Sequence, residues 1–387
     1  MRFIVGIGLV SLFADIVYEG ARSITGPYLA ALGASTAAVG VITGAGEAVA
    51  LLGRLGSGRL VDRTRAYWPL MIGGYVMTIV AVPLLGLTSV LWIAAGLVIA
   101  ERGGKAIRRP AKDVILSYAT SSIGRGRGFA VHEALDQTGA VVGPLLVAAG
   151  LAITGRYAPT LGLLLIPGLI ALVILLRLRR RVPDPSVYEP SASRPRVGAA
   201  PARGRLGSSF WWYSAFSVAT MAGFSTFAVF AVHLVDRGML SAPMVPLLYA
   251  AVMAVDALAA LAAGALFDRR GRGILVVVPL MAAAIPPLAF STRLPLAITG
   301  VLVWGIVLGL QESVMRASIA DLVPTERRGT AYGVFAAMLG VAALAGGALT
   351  GALYDVSIPL LIGVVATLQA VALAIFFASA RGRLKSS

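Results

Sequence analysis

Apolar runs of about twenty residues follow one another along this chain, with short charged breaks between them. A helix of about 20 apolar residues crosses the hydrocarbon of a bilayer, where backbone amides and carbonyls have no water to bond and must pair within their own segment. The runs therefore restrict the chain to a bundle of membrane-spanning helices. Its 387 residues accommodate roughly twelve crossings joined by short loops. With 58% hydrophobic and only 13% charged residues the chain is too apolar for a water-facing surface. No soluble ATPase domain fits, and no GxxxxGKS or GxxxxGKT loop occurs, so transport driven by the chain's own ATP hydrolysis is excluded. The first run carries Asp15 and Glu19 and lacks a small-residue cleavage site, so it reads as a retained helix and not as a leader.

A net charge of +16 would suggest nucleic acid in a soluble protein, but here the charges sort by side. Lys and Arg crowd every second loop, while the alternate loops hold little more than Arg156, Arg237 and Arg293. That is the asymmetry of cytoplasmic against external loops, so the charge reports orientation and no nucleic-acid partner is expected. Residues 177–209 change to Arg, Pro, Ser, Gly and Ala with no apolar periodicity. They read as a cytoplasmic linker between two six-helix bundles, 1–176 and 210–387, with both chain ends also cytoplasmic, in a cell inner membrane or plasma membrane. The chain has no cysteine, which removes disulfides and thiolate metal sites, and no cofactor is expected.

Gly58-Arg-Leu-Val-Asp62-Arg63-Thr-Arg65 closes the second run, and Gly264-Ala-Leu-Phe-Asp268-Arg269-Arg-Gly-Arg272 copies it with the glycine-to-aspartate spacing kept. A glycine near a helix end allows close approach of another helix, and the carboxylate can meet an arginine or a helix N-terminus, so the contact can latch. The pair resembles motif A of the major facilitator superfamily, which in that family lies between helices 2 and 3 and again between helices 8 and 9. Glu101-Arg102-Gly-Gly-Lys105 loosely resembles motif B, in which a mid-helix arginine faces the cavity; Lys105 to Lys112 read equally well as a basic helix end reaching for the interface. Gly139-x-x-x-Gly143-Pro144 resembles motif C, the antiporter signature, although Val147-Ala148 stand where the family pattern has a pair of glycines. The resemblance extends over essentially the whole chain. It implies an all-α membrane protein of twelve transmembrane helices in two pseudo-symmetric bundles, similar to the proton-coupled drug antiporter branch, with Asp62 and Asp268 at the cytoplasmic gate.

Charges inside the membrane are costly and survive against a water-filled cavity or a partner. The third, sixth, ninth and twelfth runs have none and should face lipid; the acids concentrate in the amino-terminal half. Asp15, Glu19, Arg22 and Gly26 step by four, three and four along one helical stripe, as do His132, Asp136, Gly139 and Gly143, with Glu133 and Gln137 alongside. Glu47, Asp256 and Glu312 complete the candidate set. Two acids one turn apart, such as Asp15 and Glu19, cannot both ionise cheaply in a low dielectric, so one is expected to take up protons near working pH unless Arg22 or Arg102 compensates. The same acids and arginines would also serve as static ion pairs stapling the helices. No nucleophile and base pair stands out, so no enzyme is expected.

The sequence thus points to a monomeric secondary transporter working by alternating access, with protons, the bilayer and a small molecule as its partners. Proton-coupled export of an amphipathic or cationic solute is the favoured expectation. His132 with Glu133 and Asp136 would alternatively suit a divalent cation exporter, and a transport-inactive sensor on the same fold is a third reading. Tyr18, Tyr28, Trp211, Trp212, Phe224, Phe227, Tyr249 and Trp304 supply aromatic surface for an organic solute or for ordinary packing.

Overall fold

A computed structural model of the chain describes residues 2–120, 125–185, 206–315, 318–319, 322–323 and 327–384. The described residues hold helices and no strand. They form α1 (Arg2–Ala31), α2 (Thr36–Thr64), α3 (Tyr67–Leu87), α4 (Leu91–Thr120), α5 (Arg125–Thr154), α6 (Tyr157–Arg181) and α7 (Ser208–Asp236). There follow α8 (Met244–Arg270), α9 (Val277–Ala289), α10 (Leu294–Met315), α11 (Arg328–Val356) and α12 (Ile358–Leu384). Of the expected linker, residues 186–205 lie outside the described part.

Ten described segments are long and apolar enough to span a bilayer. One of them, Met244–Ala289, has 46 residues, which as a single helix would reach roughly 70 Å against a hydrocarbon layer of about 30 Å. It is broken by a tighter turn at Gly271–Val276, entered through Gly271 at φ +60, and so makes two crossings. The twelfth span, α4, is concealed from any hydropathy count by Glu101, Arg102, Lys105, Arg108, Arg109, Lys112 and Asp113. Packing resolves the conflict: Glu101, Arg102 and Arg108 are buried within the protein, while Trp92 and Ile93 are exposed.

The chain packs as two compact units, one of Met1–Gly33, Val49–Ala199 and Ser241–Ala250, the other of Ala34–Ala48, Ala200–Leu240 and Ala251–Ser387. In the first unit α1 is the central helix, packed on α5, α6, α4 and α3. Its core joins Ile7, Val10 and Ala14 of α1 to Met71 and Tyr75 of α3, Ile115 of α4 and Leu175 of α6. The uncharged helices expose apolar residues, such as Val80 and Leu84 on α3, Leu169 and Val173 on α6, Leu280 on α9 and Val371 on α12, as a lipid-facing role requires.

In the second unit α7 packs on α11 and α12, and aromatic rings fill the space beside α10. Trp304 stacks on Phe224 with centroids 5.5 Å apart, and its indole N–H donates to the Ser225 carbonyl at 2.8 Å. His233, fully buried, meets Tyr354 Oη at 2.8 Å through Nδ1 and the Ser291 carbonyl at 3.3 Å through Nε2. Because a carbonyl only accepts, Nε2 carries the proton and Tyr354 donates to Nδ1. The first turns of α2 meet α11 backbone to backbone: Gly40 and Gly44 lie against Gly347 and Gly351 with no space for a Cβ on either side. Asp355 of α11 accepts from the Ala37 amide at 2.8 Å and caps α2 from outside.

Candidate functional site

The α1 and α5 helices approach so closely because their facing residues lack side chains. A Cβ on Gly143 would lie 2.5 Å from the Ile16 carbonyl oxygen and 3.0 Å from the Gly20 nitrogen, and Gly139 sits directly on the Leu12 carbonyl. This crossing brings the charged stripes of both helices to one place. Helix α4 adds a third stripe, since Glu101, Lys105, Arg108 and Lys112 recur at helical spacing beside Arg102. Gly74 of α3 and Gly104 of α4 pack against one another in the same manner.

Two linked groups of side chains result. In the first, the Tyr18 ring is the floor for three cations: Lys105 Nζ lies 3.7 Å from its centroid, Arg102 Cζ 4.5 Å and Arg22 Cζ 6.0 Å. Arg102 also donates to the Tyr18 hydroxyl and pairs with Glu101 at 3.5 Å. Glu19, buried one residue further on, accepts from Tyr249 Oη at 2.6 Å and faces Arg22 at 3.6 Å and Lys105 at 4.0 Å. In the second group Lys112 of α4 lies 3.6 Å from Asp136 and donates to Ser11 Oγ at 3.2 Å, and Ser11 contacts His132 Nε2 at 2.9 Å. Asp15 stands between the groups, in the field of Asp136, Lys105, Lys112 and Glu19. Two facing carboxyls can hold one proton between them, which isolated carboxylates in water do not. Arg22 and Lys105 keep about a fifth of their side-chain surface exposed, so the group is reachable from outside the packed core.

Of the ionisable residues singled out in the sequence, Asp15, Glu19, Arg22, Arg102, His132 and Asp136 come together here. The others do not. Glu133 is exposed and accepts from Gln137 at 3.3 Å along the side of α5. Glu47 is half-buried on α2, and Asp256 is buried on α8 where Gly309 of α10 rests on its backbone carbonyl. Glu312 is exposed in the wider π-type turn Gln311–Met315 that ends α10. Asp62, Arg63, Arg65, Asp268 and Arg269 are exposed at the ends of α2 and α8. Among the described residues, a Cβ on Gly58 would meet nothing within 4 Å and one on Gly264 only Ser313 Oγ at 3.5 Å. Ser11, Lys105, Lys112 and Glu101 belong to the site but were not in the candidate set, and Tyr249, read from the sequence as aromatic surface, takes part through its hydroxyl. The α4 residues had a legible signal in the spacing of Arg102, Lys105 and Lys112, which puts them on a common face. No group of three His, Asp or Glu able to hold a metal occurs among the described residues, and His132 and Asp136 are engaged by Ser11 and Lys112.

A bundle of spanning helices with a buried cluster of opposed charges points to a multi-pass membrane transporter. The comparison with known families makes this particular: the profile of the Major Facilitator Superfamily matches residues 7–310 and 219–386, so the chain belongs to that family. The uncharacterized protein Rv2265 of Mycobacterium tuberculosis is 54% identical over 384 residues, covering 97% of this chain and 92% of that one. The uncharacterized MFS-type transporter MJ1317 of Methanocaldococcus jannaschii is 25% identical, covering 91% and 88%. Among solved structures, the nucleoside transporter NupG superposes with a TM-score of 0.74 at 12% identity, covering 98% of this chain and 99% of that one. A POT family transporter in complex with 5-aminolevulinic acid superposes with a TM-score of 0.76 at 14% identity, covering 97% and 95%. At these identities the two structures are alike in fold alone.

Proposed function

We propose that the chain is a proton-coupled transporter, working by alternating access, for an amphipathic small molecule that carries an acidic group. The observation that supports this is the position of Glu19, a buried carboxylate held by Tyr249, Arg22 and Lys105 at 2.6, 3.6 and 4.0 Å. Protonation of Glu19 removes the charge that occupies Arg22 and Lys105, and those two cations then become available to a carboxylate or phosphate of the solute. The charge balance favours an anion. Arg22, Arg102, Lys105, Arg108 and Lys112 stand against Asp15, Glu19, Glu101 and Asp136, so the cluster carries one positive charge in excess when every acid is ionised and more once a proton enters. Export of a cationic solute, which the antiporter-like motif suggested, needs a site that becomes net negative on losing its proton, and these nine residues do not supply one. Gly139 and Gly143 have a packing role that carries no information about direction.

The test is purified protein in proteoliposomes enclosing a pH-sensitive dye, challenged with amphipathic carboxylates and organic phosphates and with amines of matched size. Acidic solutes are expected to move protons in their own direction. Proton movement opposite to an amine would replace this reading with cation antiport, and no proton movement with any solute that is itself transported would remove the coupling.

The segment Gly58–Arg65, which is the end of α2 and the residue after it, is proposed as part of the cytoplasmic gate, with Gly264–Arg272 its weaker counterpart and both chain ends on the same side of the membrane. Asp62 is exposed at the end of α2, away from the packed core. Asp62→Asn is therefore expected to leave the melting temperature nearly unchanged while shifting the balance between inward-open and outward-open forms toward inward-open by about tenfold, the effect of about 1.4 kcal/mol. Spin-label distances across the cytoplasmic ends of α2 and α8 measure the populations, and an unchanged distribution would remove Asp62 from the gate.

A further inference from the structure

Away from the charge cluster, the start of α3 and the end of α6 enclose a cavity of about 820 Å³. Arg65, Arg179 and Arg180 line it beside Tyr67 and Trp68, against a single acid, Asp184. Its floor is built: Trp68 is buried and donates through Nε1 to the Val182 carbonyl at 3.0 Å, holding the chain that leaves α6 under the start of α3. Its rim is charged and open, since the three arginines are exposed. Arg65 is the described non-glycine residue with a positive φ, +51, its amide bonded to the Val61 carbonyl and its carbonyl accepting from the Tyr67 amide, both at 2.8 Å. At such a helix end the backbone alone favours glycine, and a left-handed conformation costs other residues about 1 kcal/mol or more. An arginine stands there, and its side chain faces the cavity.

We infer that this cavity seats the phosphate of an anionic lipid headgroup. Three arginines against one acid leave two positive charges in excess, and guanidinium groups match phosphate oxygens in pairs. A lipid rather than a free ion is indicated by what adjoins the cavity. Leu176 forms its apolar edge, and the exposed Val173 and Leu169 continue from it along α6 at helical spacing, a surface on which an acyl chain can lie. Tyr67 and Trp68 are the residue types that settle at the level of headgroups. On the basic-loop orientation this level is the cytoplasmic leaflet, where anionic lipids attract clustered arginines.

Native mass spectrometry of the full chain in detergent, incubated with phosphatidylglycerol, with phosphatidylcholine or with inorganic phosphate, tests the inference. Phosphatidylglycerol is expected to remain bound and phosphatidylcholine to be lost. The double variant Arg179→Gln/Arg180→Gln should hold phosphatidylglycerol about thirtyfold more weakly, and each single variant about fivefold. Lysine at both positions should restore most of the binding. Arg156→Gln, an exposed arginine at the opposite end of α6, should change nothing. Equal retention of the two lipids, or unaltered retention in the double glutamine variant at an unaltered melting temperature, overturns the site. Protection against melting by inorganic phosphate equal to that by phosphatidylglycerol overturns the lipid in favour of a free anion. Absence of any lipid adduct on the parent chain overturns it as well, the cavity then being filled by the chain itself.

Discussion

Replacing Glu19 by glutamine is expected to abolish proton-driven accumulation of solute while leaving solute binding intact or tighter. The amide keeps the shape and can still accept from Tyr249, but it neither ionises nor occupies Arg22 and Lys105 with a charge. Anion binding by the variant should be as strong as by the parent chain or stronger, and no longer linked to proton uptake. A loss of at least about a hundredfold in gradient-driven uptake is the expected scale, since removing one charge of a desolvated contact is worth a few kcal/mol and every 1.4 kcal/mol is tenfold. A purely stapling role for Glu19 gives another outcome, in which folded yield and melting temperature fall while uptake by the remaining protein keeps its pH dependence. Uptake measured in vesicles with an imposed pH gradient, alongside thermal melting, separates the two. Asp15→Asn and Asp136→Asn serve as companions: if all three amides sustain full accumulation, the coupling lies elsewhere.

The second large effect is structural. Gly143→Ala is expected to cost about 2 kcal/mol or more and Gly143→Leu to prevent recovery of folded protein, because the added atom meets backbone and not a side chain that can turn away. Its Cβ would stand 2.5 Å from the Ile16 carbonyl oxygen and 2.9 Å from the Ile16 Cα, so α1 as a whole must move. Gly96→Ala provides the contrast. A Cβ there meets nothing within 4 Å, and replacing glycine by alanine in an exposed helical position should stabilise by up to about 1 kcal/mol. If Gly143→Ala melts with the parent chain, the α1 and α5 crossing is not as close as described. Because Asp15, Glu19 and Asp136 lie on the helices that Gly143 seats, surviving Gly143→Ala protein should also couple protons poorly.

The number of helices and the lipid-facing role of α3, α6, α9 and α12 were legible from the sequence, because the bilayer leaves few other arrangements for uncharged apolar runs. Helix α4 was legible from its apolar start and from the resemblance of Glu101 to Lys105 to motif B, since its charges alone place it in water. Pairing within the site was harder to read. The spacing of Asp15 and Glu19 suggested that they interact with each other; in the structure Asp15 stands in the field of both Glu19 and Asp136, and Glu19 is held by Tyr249 and two cations, partners the spacing did not show. A stripe on one helix says which residues share a face; which residues meet across helices depends on how near the backbones come, and that is set by glycines whose partners are not written beside them. Tyr249 shows the limit most plainly, 230 positions from the carboxylate to which it donates.

The seam between Gly40 and Gly44 of α2 and Gly347 and Gly351 of α11 has a kinetic consequence. Ordinary helix contacts interlock through side chains, so parting them requires many torsions to leave their wells and find them again. Here peptide planes rest on peptide planes, and separation needs no rotamer to turn over. Such a joint can part and re-form in identical register on every cycle, and its rate of opening should depend on water reaching the bared peptide groups more than on any rearrangement of the protein.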